Sequence, residues 1–191
     1  VRIVGFAGLL VLLLPAGPGD LLAASFTLGP QEQRDAIRVG ARSITLESFD
    51  TEWRVANPSG DSVTVITPFH RLVLASRNAA FKNEPLKENE PEKLLRSQQE
   101  RLVIWAQLRG PREDFARFYA PRLLLDDREI APAFVQNERT AVRVDGGTYL
   151  ARCVYRFPTK DLAASTRLLL VIRDADGRDV SRFTIDLASM R

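Results

Sequence analysis

His70 is the chain's one histidine, so any imidazole acid–base step or Ser-His-Asp relay has to run through it. It stands in Thr67-Pro68-Phe69-His70, where threonine reads as a helix N-cap and proline as the first helical residue. A first helical turn disfavours an imidazolium, because the dipole is positive there. No G-x-S-x-G elbow accompanies it. These residues predict a packing or surface histidine. Asp174, Asp176 and Asp179 lie in Asp-Ala-Asp-Gly-Arg-Asp, which approaches a calcium loop. Glycine arrives too early, however, and Ile185 holds the place where such a loop needs its glutamate. A hairpin turn accounts for the three aspartates. Glu113-Asp114 and Asp126-Asp127 are adjacent pairs, and neighbours in a strand point to opposite faces. No glycine loop for phosphate is present, so no metal, cofactor or catalytic residue is expected. A carboxylate-dependent hydrolase, built from acids that converge from distant segments, is the enzyme alternative.

Binding chemistry is denser. Gly110 to Arg122 (GPREDFARFYAPR) interleaves Arg112, Arg117 and Arg122 with Phe115, Phe118 and Tyr119. Arginine and aromatics are enriched at interface hot spots, and a guanidinium pairs bidentately with carboxylates. Arg112, Arg117, Tyr119 and Arg122 are therefore the candidate partner-binding residues. The competing reading has Phe115 and Phe118, three apart, pinning a helical turn to a sheet edge. Trp53 and Trp105 suggest a sugar-stacking platform, but their apolar strand neighbours predict core positions for both.

The start of the chain carries an address. Arg2 precedes an unbroken apolar and glycine run, Ile3 to Leu14, then Pro15-Ala16-Gly17-Pro18-Gly19 and the small residues Ala23-Ala24-Ser25. That order reads as a secretory signal peptide over 1–24, and so as a periplasmic or secreted protein. A 12-residue helix rises only about 18 Å, short of the roughly 30 Å of a hydrocarbon core. No later run is long enough to span a membrane. Cys153 is the only cysteine, which excludes both an internal disulfide and the modified cysteine of a lipoprotein. Tyr149, Ala151, Cys153, Tyr155 and Phe157 share one strand face, predicting a buried thiol.

Charge is split unevenly: residues 25–100 carry 10 Lys/Arg against 11 Asp/Glu, and residues 101–191 carry 16 against 12. An anionic envelope polymer is thus a possible ligand of the second half. Nucleic acid is not expected, given export and a net charge of only +3.

Residues 25–191 read as one elaborated domain. Pro30 opens a helix carrying Ala36, Ile37, Gly40 and Ala41, which Gly40 weakens. A hairpin is expected over roughly 51–67, turning at Asn57-Pro58-Ser59-Gly60-Asp61. A helix from Pro68 to near Asn83, a charged loop over 84–92 and a short helix to Gln99 then form an inserted helical hairpin. From Arg101 onward short strands alternate with turns: 102–108, 122–125, 142–144, 148–157, 168–172 and 183–187. This strand count and spacing resembles an immunoglobulin-like or fibronectin-like antiparallel β-sandwich, without the Cys-Trp-Cys core. Leu102–Ala106 and Leu168–Ile172 are apolar at consecutive positions, as in strands buried on both faces. The helices are expected to cover one sheet. The resulting expectation is an exported, non-catalytic β-sandwich module of the bacterial envelope, contacting another envelope or secreted protein. The alternative is a carbohydrate- or envelope-polymer-binding module, with Trp53, Trp105 and Tyr119 as its aromatics.

Overall fold

Pro30 at the first helical position, and Glu32 accepting the Gly29 N–H at 2.7 Å, start helix α1 (Pro30–Arg42). A computed structural model describes residues 26–160 and 162–191, so the segment read as a signal, 1–24, lies outside the described residues. After a 3-10 turn, Thr51–Trp53, come β1 (Arg54–Ala56) and β2 (Ser62–Ile66). Helix α2 (Pro68–Phe81) follows at once, with the Thr67 hydroxyl accepting the His70 N–H at 3.1 Å. Helix α3 (Glu90–Gln98) completes the insertion. The remaining strands are β3 (Arg101–Gly110), β4 (Ala120–Leu125), β5 (Arg128–Ile130), β6 (Phe134–Gln136), β7 (Val142–Arg143), β8 (Tyr149–Pro158), β9 (Arg167–Arg173) and β10 (Asp179–Asp186).

The chain is mainly β, with two antiparallel sheets and three helices. The first sheet runs β1-β2-β3-β8-β6, with β7 also on β8; the second runs β10-β9-β4-β5. Period-two alternation sends Leu102, Ile104, Ala106 and Leu108 of β3 inward, together with Ala151, Cys153, Tyr155 and Phe157 of β8. They share one buried cluster with Leu123, Leu168, Leu170, Ile172, Phe183 and Ile185 of the second sheet, and with Trp53, Phe69 and Leu72. A buried polar seam ties the edges. Asp61 accepts the Arg109 N–H at 2.7 Å and the Ser181 hydroxyl at 2.8 Å, and Asn57 Nδ2 donates to that hydroxyl at 2.8 Å. The β1–β2 turn is thereby fastened to β10, and the side chains of Asn57, Asp61 and Ser181 satisfy one another.

Gly40 has a purpose that helix propensity hides. A Cβ there would lie 2.4 Å from the Val73 carbonyl oxygen and 2.7 Å from Ser76 Cβ. Its absence lets α1 lie directly on α2, where Ser76 Oγ donates to the Ile37 carbonyl at 2.7 Å.

Several expectations need correction. Thr51–Trp53 is a 3-10 turn, not strand, and Leu187 is buried in another, Leu187–Ser189. Trp53 is core, but Trp105 is 40 % exposed on the outward face of β3. The strands with consecutive apolar residues are not sealed by helices on both faces: β3 alternates strictly between inward and outward residues. Val171, only 2 % exposed, faces outward on β9 in register with Arg122 on one side and Arg182 on the other. Long arginine side chains flank it there, and such aliphatic stems can cover apolar surface while their charged heads stay in water.

Candidate functional site

Strand β3 is central, paired with β2 and β8, so its outward residues stand in the middle of an exposed face. Register sets Trp105 beside Thr64 and Val154, and Val103 beside Arg156, which pairs onward with Phe134. The Arg156 guanidinium lies over the Phe134 ring, 4.4 Å from its centroid. At the end where the chain leaves β2, α2 and α3 rise as a wall, held by Gln98 Nε2 donating to the Ile66 carbonyl. A recess of about 440 Å³ lies at its foot, lined by Arg71, Ser97, Arg101, Val103, Trp105 and Arg156 among others. It adjoins a groove of about 750 Å³ between the helices, lined by Lys82, Lys87, Lys93, Glu90 and Leu94. Arg71 and Trp105 line both, so the two spaces adjoin at these residues and together are called the trough. Glu84 and Glu90 also border the groove, and Glu90 accepts the Lys87 backbone N–H at 3.2 Å. Among the described residues, no carboxylate lies within 4 Å of the charged groups of Arg71, Lys82, Lys87, Lys93, Arg101 or Arg156.

The outer face of the second sheet is arranged differently. Arg122 meets Glu129 at 2.7 Å, Glu129 reaches Arg173 at 3.5 Å, and Arg173 meets Asp179 at 3.0 Å. Asp179 ends the ladder on Arg182 at 2.6 Å, and Arg167 pairs with Asp186 at 3.0 Å. The guanidinium groups of Arg182 and then Arg173 hold the Asp179 carboxyl below the usual range.

The chemistry-bearing residues singled out in the sequence are mostly internal or committed. His70 is buried, its Nδ1 3.0 Å from the Val65 carbonyl and its ring stacked on Trp53 at 4.1 Å. A carbonyl can only accept, so Nδ1 carries the proton and Nε2 presents a lone pair; that atom is buried and has no hydrogen-bond partner. Burial lowers the pKa of His70 to about 4. Cys153 is buried as expected, and burial pushes its thiol up. Asp174 accepts the N–H groups of Asp176 and Arg178, both at 2.9 Å, closing the β9–β10 turn. Among the described residues no group of three or more His, Cys, Asp or Glu is placed to hold a metal ion.

The four candidate partner-binding residues divide between two places. Arg112 and Arg117 stay on the β3–β4 connection, the first 3.8 Å from Asp114, the second over the Phe118 ring at 5.2 Å. Tyr119 is half-buried edge-on to Phe115 at 5.6 Å, and its hydroxyl pKa is raised by that burial. Arg122 belongs to the ladder on the second sheet. Phe115 is the anchor: a Cβ on Gly110 would lie 2.3 Å from its ring. Phe118 is 67 % exposed and anchors nothing. Sequence reasoning missed Arg71, Lys82, Lys87 and Lys93. The available signal was that three of the chain's four lysines fall within residues 82–93, whereas cations elsewhere are arginines except Lys160.

No protein-family model matches the chain, and no curated protein matches it. A solved structure of a protein of unknown function from Burkholderia pseudomallei K96243 is similar at a TM-score of 0.45 and 10 % identity. The likeness covers 85 % of this chain and 91 % of that one.

Proposed function

We propose that this is an exported, non-catalytic binding module of the bacterial cell envelope, an immunoglobulin-like β-sandwich that meets its partner on the outer face of the first sheet. The observation that carries this reading is the trough around Trp105. An aromatic 40 % exposed at the centre of a sheet is bordered by cations that, among the described residues, have no carboxylate within 4 Å. Exposed apolar surface rimmed by charge marks an interaction site. Strand order supports the immunoglobulin-like part. β2-β3-β8-β6 against β10-β9-β4-β5 has the sequence of crossings of A-B-E-D against G-F-C-C′, with the two helices inserted between the first two strands. The leader-like residues 1–24 support export. The sealed positions of His70 and Cys153 support a role without covalent or acid–base chemistry.

A second contact surface is favoured by one observation, the exposed Phe118 with Arg117 over its ring. With Arg112 it would suit a protein partner at the β3–β4 connection.

Two measurements test the proposal. The full chain fused to a reporter that is active only after export should give activity, and deletion of 1–24 should abolish it. The protein should also sediment with isolated envelopes, less so after Trp105→Ala but unchanged after Arg182→Ala. A silent full-chain fusion, activity that survives deletion of 1–24, or equal sedimentation of all three forms would overturn it.

A further inference from the structure

We infer that the trough is a subsite for an acidic polysaccharide, laid along the outer face from the α2–α3 groove across Trp105 toward Arg156; this rests on the binding-module reading. Four features select that ligand class. The groove and the recess share Arg71 and Trp105, so the space is elongated and suits a linear chain better than a small molecule. Trp105 offers a flat apolar ring, and a pyranose presents an apolar face of C–H groups with hydroxyls around its edge. Asn78 and Asn89 in the groove, and Ser97 and Gln136 in the recess, stand where such hydroxyls would find hydrogen-bond partners. Arg71, Lys82, Lys87, Lys93, Arg101 and Arg156 outnumber Glu84 and Glu90 along the same path, so carboxylated or phosphorylated sugars are favoured over neutral ones. An acidic peptide is less suited: β3 already pairs on both sides, so the floor offers no free strand edge for main-chain addition.

The probe is an oligogalacturonate of uniform length, with its fully methyl-esterified form as the uncharged counterpart and poly-L-glutamate as the acidic peptide. Binding is followed by calorimetry and by tryptophan emission, in which Trp105 is the solvent-exposed fluorophore and Trp53 the buried background. Saturable binding of oligogalacturonate is expected, lost in the methyl ester and weakened by added salt. Trp105→Ala should weaken it by about tenfold or more, as loss of a central aromatic anchor does. The joint change Lys82→Ala, Lys87→Ala and Lys93→Ala should do the same. The thermal midpoints of both variants should match the parent. Absence of saturable binding, or binding indifferent to Trp105→Ala, overturns the inference. Poly-L-glutamate bound as tightly and with the same dependence on Trp105 overturns it in favour of a peptide ligand. Envelope sedimentation that still depends on Trp105 would then show the binding-module reading standing while the ligand class fell.

Discussion

On the outer face of the second sheet, Arg122, Arg167, Arg173 and Arg182 are each held by a carboxylate; beside the outer face of the first, Arg71, Arg101 and Arg156 are held by none among the described residues. Both faces come from the same strand alternation. On the second sheet the cations are neutralised within the molecule, and Val171, in register between Arg122 and Arg182, is buried. On the first, Trp105 stays open and its cations stay available. Exposed ion pairs contribute only about 0–1 kcal/mol each, so the ladder does more to occupy charge than to stabilise the fold. Net charge by segment therefore misleads. Residues 101–191 hold the excess of basic residues, yet many of these are paired with acids. Residues 25–100, with one more acid than base, supply Arg71, Lys82, Lys87 and Lys93 to the trough. Free charge, not total charge, separates the two faces.

Neighbouring residues on β3 give the sharpest contrast. Ile104 is fully buried and Trp105 is not, so Ile104→Ala should cost about 2–5 kcal/mol. Trp105→Ala should stay within about 1 kcal/mol while weakening binding. Equal losses of stability in denaturant titrations would make Trp105 a structural residue and erase the distinction between the faces.

The helical wall exists only beside the first sheet, and His70 pins its first turn to β2. Its folded pKa, about 4, lies below the ordinary 6.5. The unfolded chain therefore takes up a proton that the folded chain refuses, and stability falls as pH drops from 6.5 toward 4. The loss approaches roughly 3 kcal/mol below that window. His70→Gln should flatten this part of the pH–stability profile. Binding at the Trp105 face should weaken on acidification before the second sheet opens, which hydrogen exchange would follow.

Gly40→Ala probes the same wall from behind. Alanine gains up to about 1 kcal/mol of helix propensity, but overpacking against the Val73 carbonyl costs about 1–3 kcal/mol. A net destabilisation of about 1 kcal/mol is expected in thermal unfolding; stabilisation would show that α1 and α2 can shift apart freely. The smallest change is on the other face. Asp179→Ala should alter stability by less than about 1 kcal/mol. It should release Arg182, leave Arg173 on Glu129 alone, and add salt-sensitive retention on a polyanion column, without altering the Trp105 emission response.

Much of the fold was legible because it follows from local rules. Thr67-Pro68, Pro30, the Asn57–Asp61 turn and the inward face of β8 each declare themselves through capping, turn chemistry or alternation. The short β6 was not legible, since three exposed residues, Phe134–Gln136, carry no burial pattern. Trp105 was misplaced because its apolar neighbours are the same whether a sheet face is covered or bare. Only the position of α2 and α3 decides that, and their docking is a long-range matter that spacing does not encode. The trough was invisible for a similar reason: Arg71, Lys82–Lys93 and Trp105 come from three elements. The Arg112–Arg122 cluster was conspicuous because it is contiguous, yet the fold sends its last arginine to the opposite sheet.

Cys153 has a practical consequence. It faces inward on β8 opposite Ala106, is the sole thiol, and is shut away from solvent. A thiol reagent reaches it only when the layers part, so its modification rate is a clock for those openings. A ligand on the outer face never touches that sulfur. It should nevertheless slow the clock, because it stabilises the closed protein in proportion to its occupancy. In the Trp105→Ala protein the clock should run at its usual rate and ignore the ligand. One buried atom thus reports, from inside the molecule, whether the surface behind it is filled.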